Sequence, residues 1–233
     1  SERKVYRGEA LRAVAMPLGG IGTGSIAICG DGGLRQWQIF NRVNHDAHVP
    51  HSFFAVRAQA QWQAPVARLL QCDALYDEGE FVGPPTSTDH VVPEESRLLL
   101  RAVPGVAEVE FIGEYPIAQA GYRDAALPVE VSLEAFSPMI PLNAKDSGLP
   151  AIVFQFTVRN PGEQGLDVWL AGTLQNAVGW DGVKPIRGVE CADYGGNVNL
   201  PIALRHLAGV YLTALGRDGD APEWGSLALL AVG

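Results

Sequence analysis

The stretch Asn44-His45-Asp46-Ala47-His48-Val49-Pro50-His51 gathers three histidines and an aspartate, a set of side chains that could ligate zinc or another divalent ion. The spacing opposes that chemistry. Steps of three share a face on a helix but not on a strand, and Pro50 would break a helix that reached His51. An ordered surface or interface loop is the better reading, and no metal or cofactor is called for. His90 and His206 have no nearby partner in sequence. Carboxylates are plentiful: Glu78, Glu80, Glu94, Glu95, Glu134, Asp146, Asp181 and Asp193. Any two of them could stand the roughly 5 to 10 Å apart that glycoside hydrolysis requires, but sequence selects no pair, and a solvated acidic surface is their ordinary role.

The glycine cluster LGGIGTGS, from Leu18 to Ser25, invites comparison with a phosphate-cradling loop. It lacks the GxGxxG spacing and the Walker lysine, and strand-like SIAICG follows it where a helix should begin. Structural glycines, packed where an entry strand crosses another layer, fit better. No GxSxG elbow is present for nucleophilic catalysis. Gly30-Asp31-Gly32-Gly33 reads as the tight turn of a hairpin between SIAIC and LRQWQIF. Strict alternation on the second arm puts Leu34, Gln36, Gln38 and Phe40 on one side and Arg35, Trp37, Ile39 and Asn41 on the other. Arg35 beside Trp37 could present a stacked surface to a sugar ring or a neighbouring domain. The plainer expectation is Trp37 in an inter-sheet core with Arg35 salt-bridged at its rim.

Positioning such residues is the task of the rest of the chain. Its 233 residues suit one large domain, and 47% hydrophobic content can fill a sizeable core. The formal charge of −9 and the absence of Lys/Arg runs exclude nucleic acid and anionic membranes as partners. No apolar run approaches about 18 residues, so no transmembrane segment is expected. Cys29, Cys72 and Cys191 are odd in number and far apart, a poor disulfide or zinc framework. They read as buried thiols, which favours a reducing, cytoplasmic compartment.

Glycine (27) and proline (16) recur along the whole chain and leave little room for long helices. Between these breakers the apolar residues alternate. Phe54, Val56, Ala58, Ala60 and Trp62 oppose Arg57, Gln59 and Gln61; Val129, Val131, Leu133 and Ala135 oppose Glu130, Ser132 and Glu134; Phe154, Phe156 and Val158 oppose Gln155, Thr157 and Arg159. Further strands are expected at 24–28, 34–40, 97–102, 107–115, 167–174, 203–207, 209–215 and 226–232, with a long excursion at 73–93. Clean alternation predicts antiparallel strands with one solvated face, hence an all-β fold of two packed sheets. The chain's last strand is apolar with no polar tail after it, so the sandwich is expected to be incomplete and to pair through that edge with a further segment or a second copy.

Three stretches carry a resemblance: MPLGGIGTGSIAICGDGGLRQWQIFN (16–41), SFFAVRAQ (52–59) and EAFSPMIPLNAKDSGLPAIVFQFTVRNPG (134–162). In the last, Pro138 and Pro141 stiffen a crossover while Asn143, Asp146 and Ser147 can cap backbone groups in its bend. With LQNAVGWDG (174–182), they resemble the amino-terminal domain of glycoside hydrolase family 116, the β-glucosidases that include the non-lysosomal glucosylceramidase. The resemblance spans most of the chain. It implies a supersandwich-like two-sheet β-sandwich over residues 1–233, attached to a downstream catalytic (α/α)6 barrel that these residues do not contain.

The activity implied for the parent protein is retaining hydrolysis of a β-glucosidic bond. No catalytic residue is carried over onto this chain, whose part would be to brace the barrel. The residues expected to face the barrel or the rim of its pocket are Arg35, Trp37, Asn41, His45, His48, Asn176, Trp180 and Asp181. Carbohydrate or glycolipid would then be met at most indirectly. The rival reading is a free-standing carbohydrate-binding sandwich whose exposed aromatics stack on sugar. A self-sufficient hydrolase is the third.

Overall fold

A computed structural model describes residues 3–39, 42–72, 92–187, 194–216 and 218–233. Strands take up 45% of it and helix 9%, and the chain is an all-β sandwich. A 3-10 helix, Gly8–Ala13, leads into β1 (Ala15–Leu18), β2 (Ser25–Cys29) and β3 (Leu34–Gln38), a small antiparallel sheet. The inner sheet contains β4 (Phe53–Ala60), β5 (Val66–Cys72), β6 (Gly105–Val106) and β11 (Leu166–Thr173) in the order β11-β4-β5-β6. Facing it are β7 (Glu108–Glu114), β8 (Ile117–Arg123), β9 (Glu130–Phe136) and β10 (Val153–Arg159), ordered β10-β9-β8-β7. A final antiparallel sheet comprises β12 (Asn197–Leu204), β13 (Leu207–Ala214) and β14 (Leu227–Val232).

The alternating patterns do what period two demands. Val131, Leu133 and Ala135 of β9 are buried while Glu130, Ser132 and Glu134 are exposed, and Val56, Ala58 and Ala60 of β4 close the core from the other side. The sheets meet through edge-on rings, with Phe54 4.8 Å from Phe154 and 4.9 Å from Phe156. Arg68 of β5 reaches across to Asp124 with two bonds of 2.8 and 3.2 Å. Burial works to raise the Asp124 pKa, but the Arg68 hydrogen bond and backbone N–H groups outweigh it and hold the carboxyl below its ordinary value.

Five expectations need correction. Residues 97–102 form no strand: they belong to helix α1 (Glu94–Ala102), because Glu, Leu, Arg and Ala are all strong helix formers and no β-branched residue intervenes. Helix α1 lies in the connection from β5 to β6, and those two strands pair in parallel, which demands a crossover. The expected strand at 203–207 ends early, since Arg205 and His206 make the turn between β12 and β13. Trp62 does not continue the buried face of β4. It sits in the β4–β5 turn with φ of 65° and is almost wholly exposed.

Strict alternation also fails on β3. Gln36 adopts φ of 51° and the β2–β3 register shifts between Ser25 and Ala27, so Leu34, Arg35 and Trp37 are all buried. Trp37 is in the core as expected, but Arg35 is not at a rim. It is 5% exposed and forks onto Asp31, itself 1% exposed, with Nη1 donating to Oδ1 at 2.8 Å and Nη2 to Oδ2. The Gly33 N–H also donates to Asp31 Oδ1 at 3.0 Å, and Gly33 lies so close on the guanidinium that a Cβ there would come within 2.8 Å of it. The pair joins three sheets. The Asp31 carbonyl accepts the Cys72 N–H of β5 at 2.9 Å, and burial followed by the Asp31 charge raises the pKa of Tyr122 on β8. Burial likewise pushes the Cys29 thiol up to about 11, so it is an inert packing group. Cys72, also buried, donates from Sγ to the Ala107 carbonyl at 3.5 Å. Cys191, Asn41 and most of the 73–93 excursion, with His90, Glu78 and Glu80, lie outside the described residues, as does Asp193.

Removing one partner of a buried ion pair strands the other. Asp31→Ala is therefore expected to cost about 3–5 kcal/mol in urea unfolding, while Asp31→Leu combined with Arg35→Met recovers most of it. A loss under about 1 kcal/mol for the single variant would contradict this account.

Candidate functional site

The candidate residues from the first half of the chain and those from the second half meet at one end of the sandwich. There β4 begins and β11 ends, and the loops at 42–52, 174–187 and 218–226 converge. Thr173 fastens the junction, its hydroxyl donating to the His51 carbonyl at 2.6 Å and accepting the Phe53 N–H at 3.2 Å. The Gln175 N–H donates to Ser52 Oγ at 3.1 Å. Asn44 Nδ2 donates to the Gly182 carbonyl at 3.0 Å, and the Gly179 N–H to the Glu223 carbonyl at 3.0 Å. Arg42 stands 3.5 Å from the Glu223 carboxylate.

Asn176 organises the second loop. Its Nδ2 donates to Asn199 Oδ1 at 2.9 Å and to the carbonyls of Thr213 and Val198 at 3.0 and 3.2 Å. Its Oδ1 accepts from the Val178 N–H and from Asn197 Nδ2. A buried side-chain amide with both ends satisfied fixes the loop against β12 and β13. Trp180 is enclosed in the core, its Nε1 donating to the Lys184 carbonyl at 2.7 Å. Asp181 turns the chain by accepting the N–H groups of Val183 and Lys184, both at 2.9 Å. Burial works to raise its pKa, but these donors and the charges of Lys184 and Arg42 hold it below the ordinary value.

The histidines divide. His45 and His51 are exposed, His51 with φ of 57°, whereas His48 is mostly buried with Nε2 3.3 Å from Ser96 Oγ on helix α1. Among the described residues no three His, Cys, Asp or Glu side chains gather as a metal site. Burial first, then the positive charges of Arg35 and His51, press the His48 pKa down to about 4. Trp37, whose indole Nε1 donates to the Leu34 carbonyl at 3.3 Å, shows no ring face to solvent, and its backbone N–H donates to the Ala47 carbonyl of the histidine loop at 3.0 Å. Trp37, Arg35 and Trp180 thus act from beneath, and the groups that reach solvent at this end include His45, His51, Asp181 and several residues that sequence reasoning passed over. Those are Val43, Val183 and Trp224, all well exposed, and the tethers Asn44, Asn197 and Glu223. Only Trp224 carried a signal, as a lone aromatic in the turn-rich run DGDAPEWGS.

The other described acids among those singled out in the sequence have structural placements. Glu94 and Glu95 occupy the first turn of helix α1, Glu134 accepts Gln119 Nε2 at 2.8 Å on the solvent face of β9, and Asp146 accepts Asn143 Nδ2 at 2.7 Å.

A family model described as beta-glucosidase 2, glycosyl-hydrolase family 116 N-term, matches residues 15–232. No curated protein matches the chain.

Two measurements follow from this geometry. Because His48 is neutral when folded, its contribution is complete above pH 6.5 and is lost as pH falls towards 4, a difference of about 3 kcal/mol. His48→Gln should flatten the pH dependence of unfolding over that window, as read by denaturant titration at each pH. Asn176→Leu should cost about 2–4 kcal/mol by stranding the amide's buried partners, read as a lowered urea midpoint.

Proposed function

Since the chain belongs to glycosyl-hydrolase family 116, as the family's N-terminal domain, we propose that it is the non-catalytic sandwich of a retaining β-glucosidase of glucosylceramidase-like type, and that it braces the enzyme's catalytic barrel. The observation that carries this reading is the family match over residues 15–232. The state of the chain's own acids supports it, because Asp31, Asp124, Asp146 and Asp181 each serve a structural bond. On this reading the carboxylate that forms the glycosyl-enzyme and the one that acts as acid and then base are supplied by the barrel. The sandwich contributes rigidity. Loops tied by Asn176, Asn44 and Thr173 stay in place without a partner, so docking against them costs little ordering entropy.

One observation favours the rival carbohydrate-binding module: Trp169 of β11 is half-exposed on the outer face of the inner sheet. Its ring already carries the Arg57 guanidinium 4.3 Å from its centroid, so one stacking face is taken. We therefore rank that reading second.

A chromogenic β-glucoside should be hydrolysed by the full-length enzyme and left intact by the purified 233-residue chain. Cleavage by the chain alone would overturn the proposal. Retention of the chain on a β-glucan column without cleavage would promote the binding-module reading.

A further inference from the structure

The connection from β9 to β10 forms a rigid knuckle with an apolar tip. Within it lies the short helix α2 (Ala144–Ser147), capped by Asn143, whose Oδ1 accepts the Asp146 N–H at 3.1 Å. Ser147 is fully buried, and its hydroxyl both donates to the Ile140 carbonyl at 3.0 Å and accepts the Ile140 N–H at 2.9 Å. The glycine loop after β1 is bound to the same body. The Ile21 N–H donates to the Ser147 carbonyl at 2.8 Å, the Gly19 N–H donates to Ser137 Oγ at 2.8 Å, and Gly20 lies against the Leu149 carbonyl so tightly that no Cβ would fit.

What this framework displays is apolar. Leu142 is fully exposed and held at φ of 64°, a backbone region that branched side chains avoid. Ile21, Met139, Ile140 and Leu149, in the same connection or in the glycine loop bound to it, are each between 38% and 54% exposed. A floppy loop would expose leucine by accident. Here the hydrogen bonds hold the segment in a strained backbone whose consequence is to present the side chain, and strain of that kind is kept where surrounding structure enforces it. The knuckle also stands at the same end of the sandwich as the convergent loops, since Phe154 at the start of β10 packs on Phe54 at the start of β4.

We propose that the Leu142 knuckle is the surface by which this domain docks onto the catalytic part of its own polypeptide, with Leu142 as a knob entering an apolar, uncharged pocket there. The proposal rests on the bracing role argued above. Charge selects this occupant over others. The patch offers Lys145 next to Asp146 and no net charge, while the chain carries −9. Anionic lipid would be repelled, and so would a second copy of the chain. A partner joined covalently meets the knuckle at high effective concentration, which a modest neutral contact requires.

The test is hydroxyl-radical footprinting of the full-length enzyme, each residue referenced to its labelling in urea. Trp62, almost wholly exposed in the turn at the far end of β4, is the control. Leu142 should be shielded while Trp62 labels freely, and Leu142→Asp should split the single thermal unfolding transition into two. Free labelling of Leu142 with Trp62 shielded would sink the knuckle and leave bracing intact, with the opposite end as the docking face. Free labelling of both, with one transition and unchanged kcat in Leu142→Asp, would remove the knuckle and the bracing role together. Shielding that vanishes on dilution to monomer, or that appears only with phosphatidylcholine vesicles, would assign the surface to a second copy or to lipid and overturn the proposal.

Discussion

The buried pair of Asp31 and Arg35 is the constraint from which the arrangement of the sheets follows. A charge cannot remain inside a sandwich of apolar side chains unless its counter-charge meets it in good geometry, and here both carboxylate oxygens meet both terminal guanidinium nitrogens. That fit exists in one register of the β2–β3 hairpin. The pair need add little stability compared with apolar residues of the same size. Its effect is to make other registers costly, and because Asp31 also receives the Cys72 N–H, the hairpin is fixed against β5 at the same time.

The bulge at Gln36 is the local accommodation of that requirement. Ser25 and Ala27 share a face of β2, yet their partners Gln38 and Arg35 stand three apart on β3, so one extra residue leaves the ladder there and the alternation changes beyond Arg35. Trp37 in turn anchors Ala47, and with it the histidine loop that meets the Asn176 loop through Asn44 and Gly182. The polar core and the loop end are therefore one mechanical system. Trp62 stands in solvent at the opposite end of the sandwich.

Much of this was legible in the residues. The period-two runs located β4, β9 and β10, the further expected strands covered β2, β3, β7, β11, β13 and β14, and the motif-bearing stretches pointed to the family whose N-terminal domain the chain matches. What escaped had physical causes. RLLLRA is apolar enough for a strand, and only its freedom from β-branching marks it as helix α1. The burial of Arg35 depended on an acid four residues earlier in a turn, where short-range patterning expects solvent. Alternation could not reveal that β13 and β14 are apolar on both faces. Leu212, Leu227 and Leu229 turn towards β4 and β11 while Leu200, Tyr211 and Leu230 turn away. The loop cluster was half visible: His45 and Asp181 were named from composition and motif, but nothing in a linear reading couples Asn44 to Gly182.

The pairing of β4 with β11 carries a consequence for how the molecule comes into being. Phe53 and Thr173 are 120 positions apart, and the strands between them fold into hairpins and a whole facing sheet. During translation the β4 edge therefore waits, unpaired and apolar, until its distant mate leaves the ribosome. Closing so long a loop is slow, and the waiting edge is open to foreign strands throughout. Chaperone dependence during synthesis, more than fragility once complete, is the vulnerability that this topology builds in.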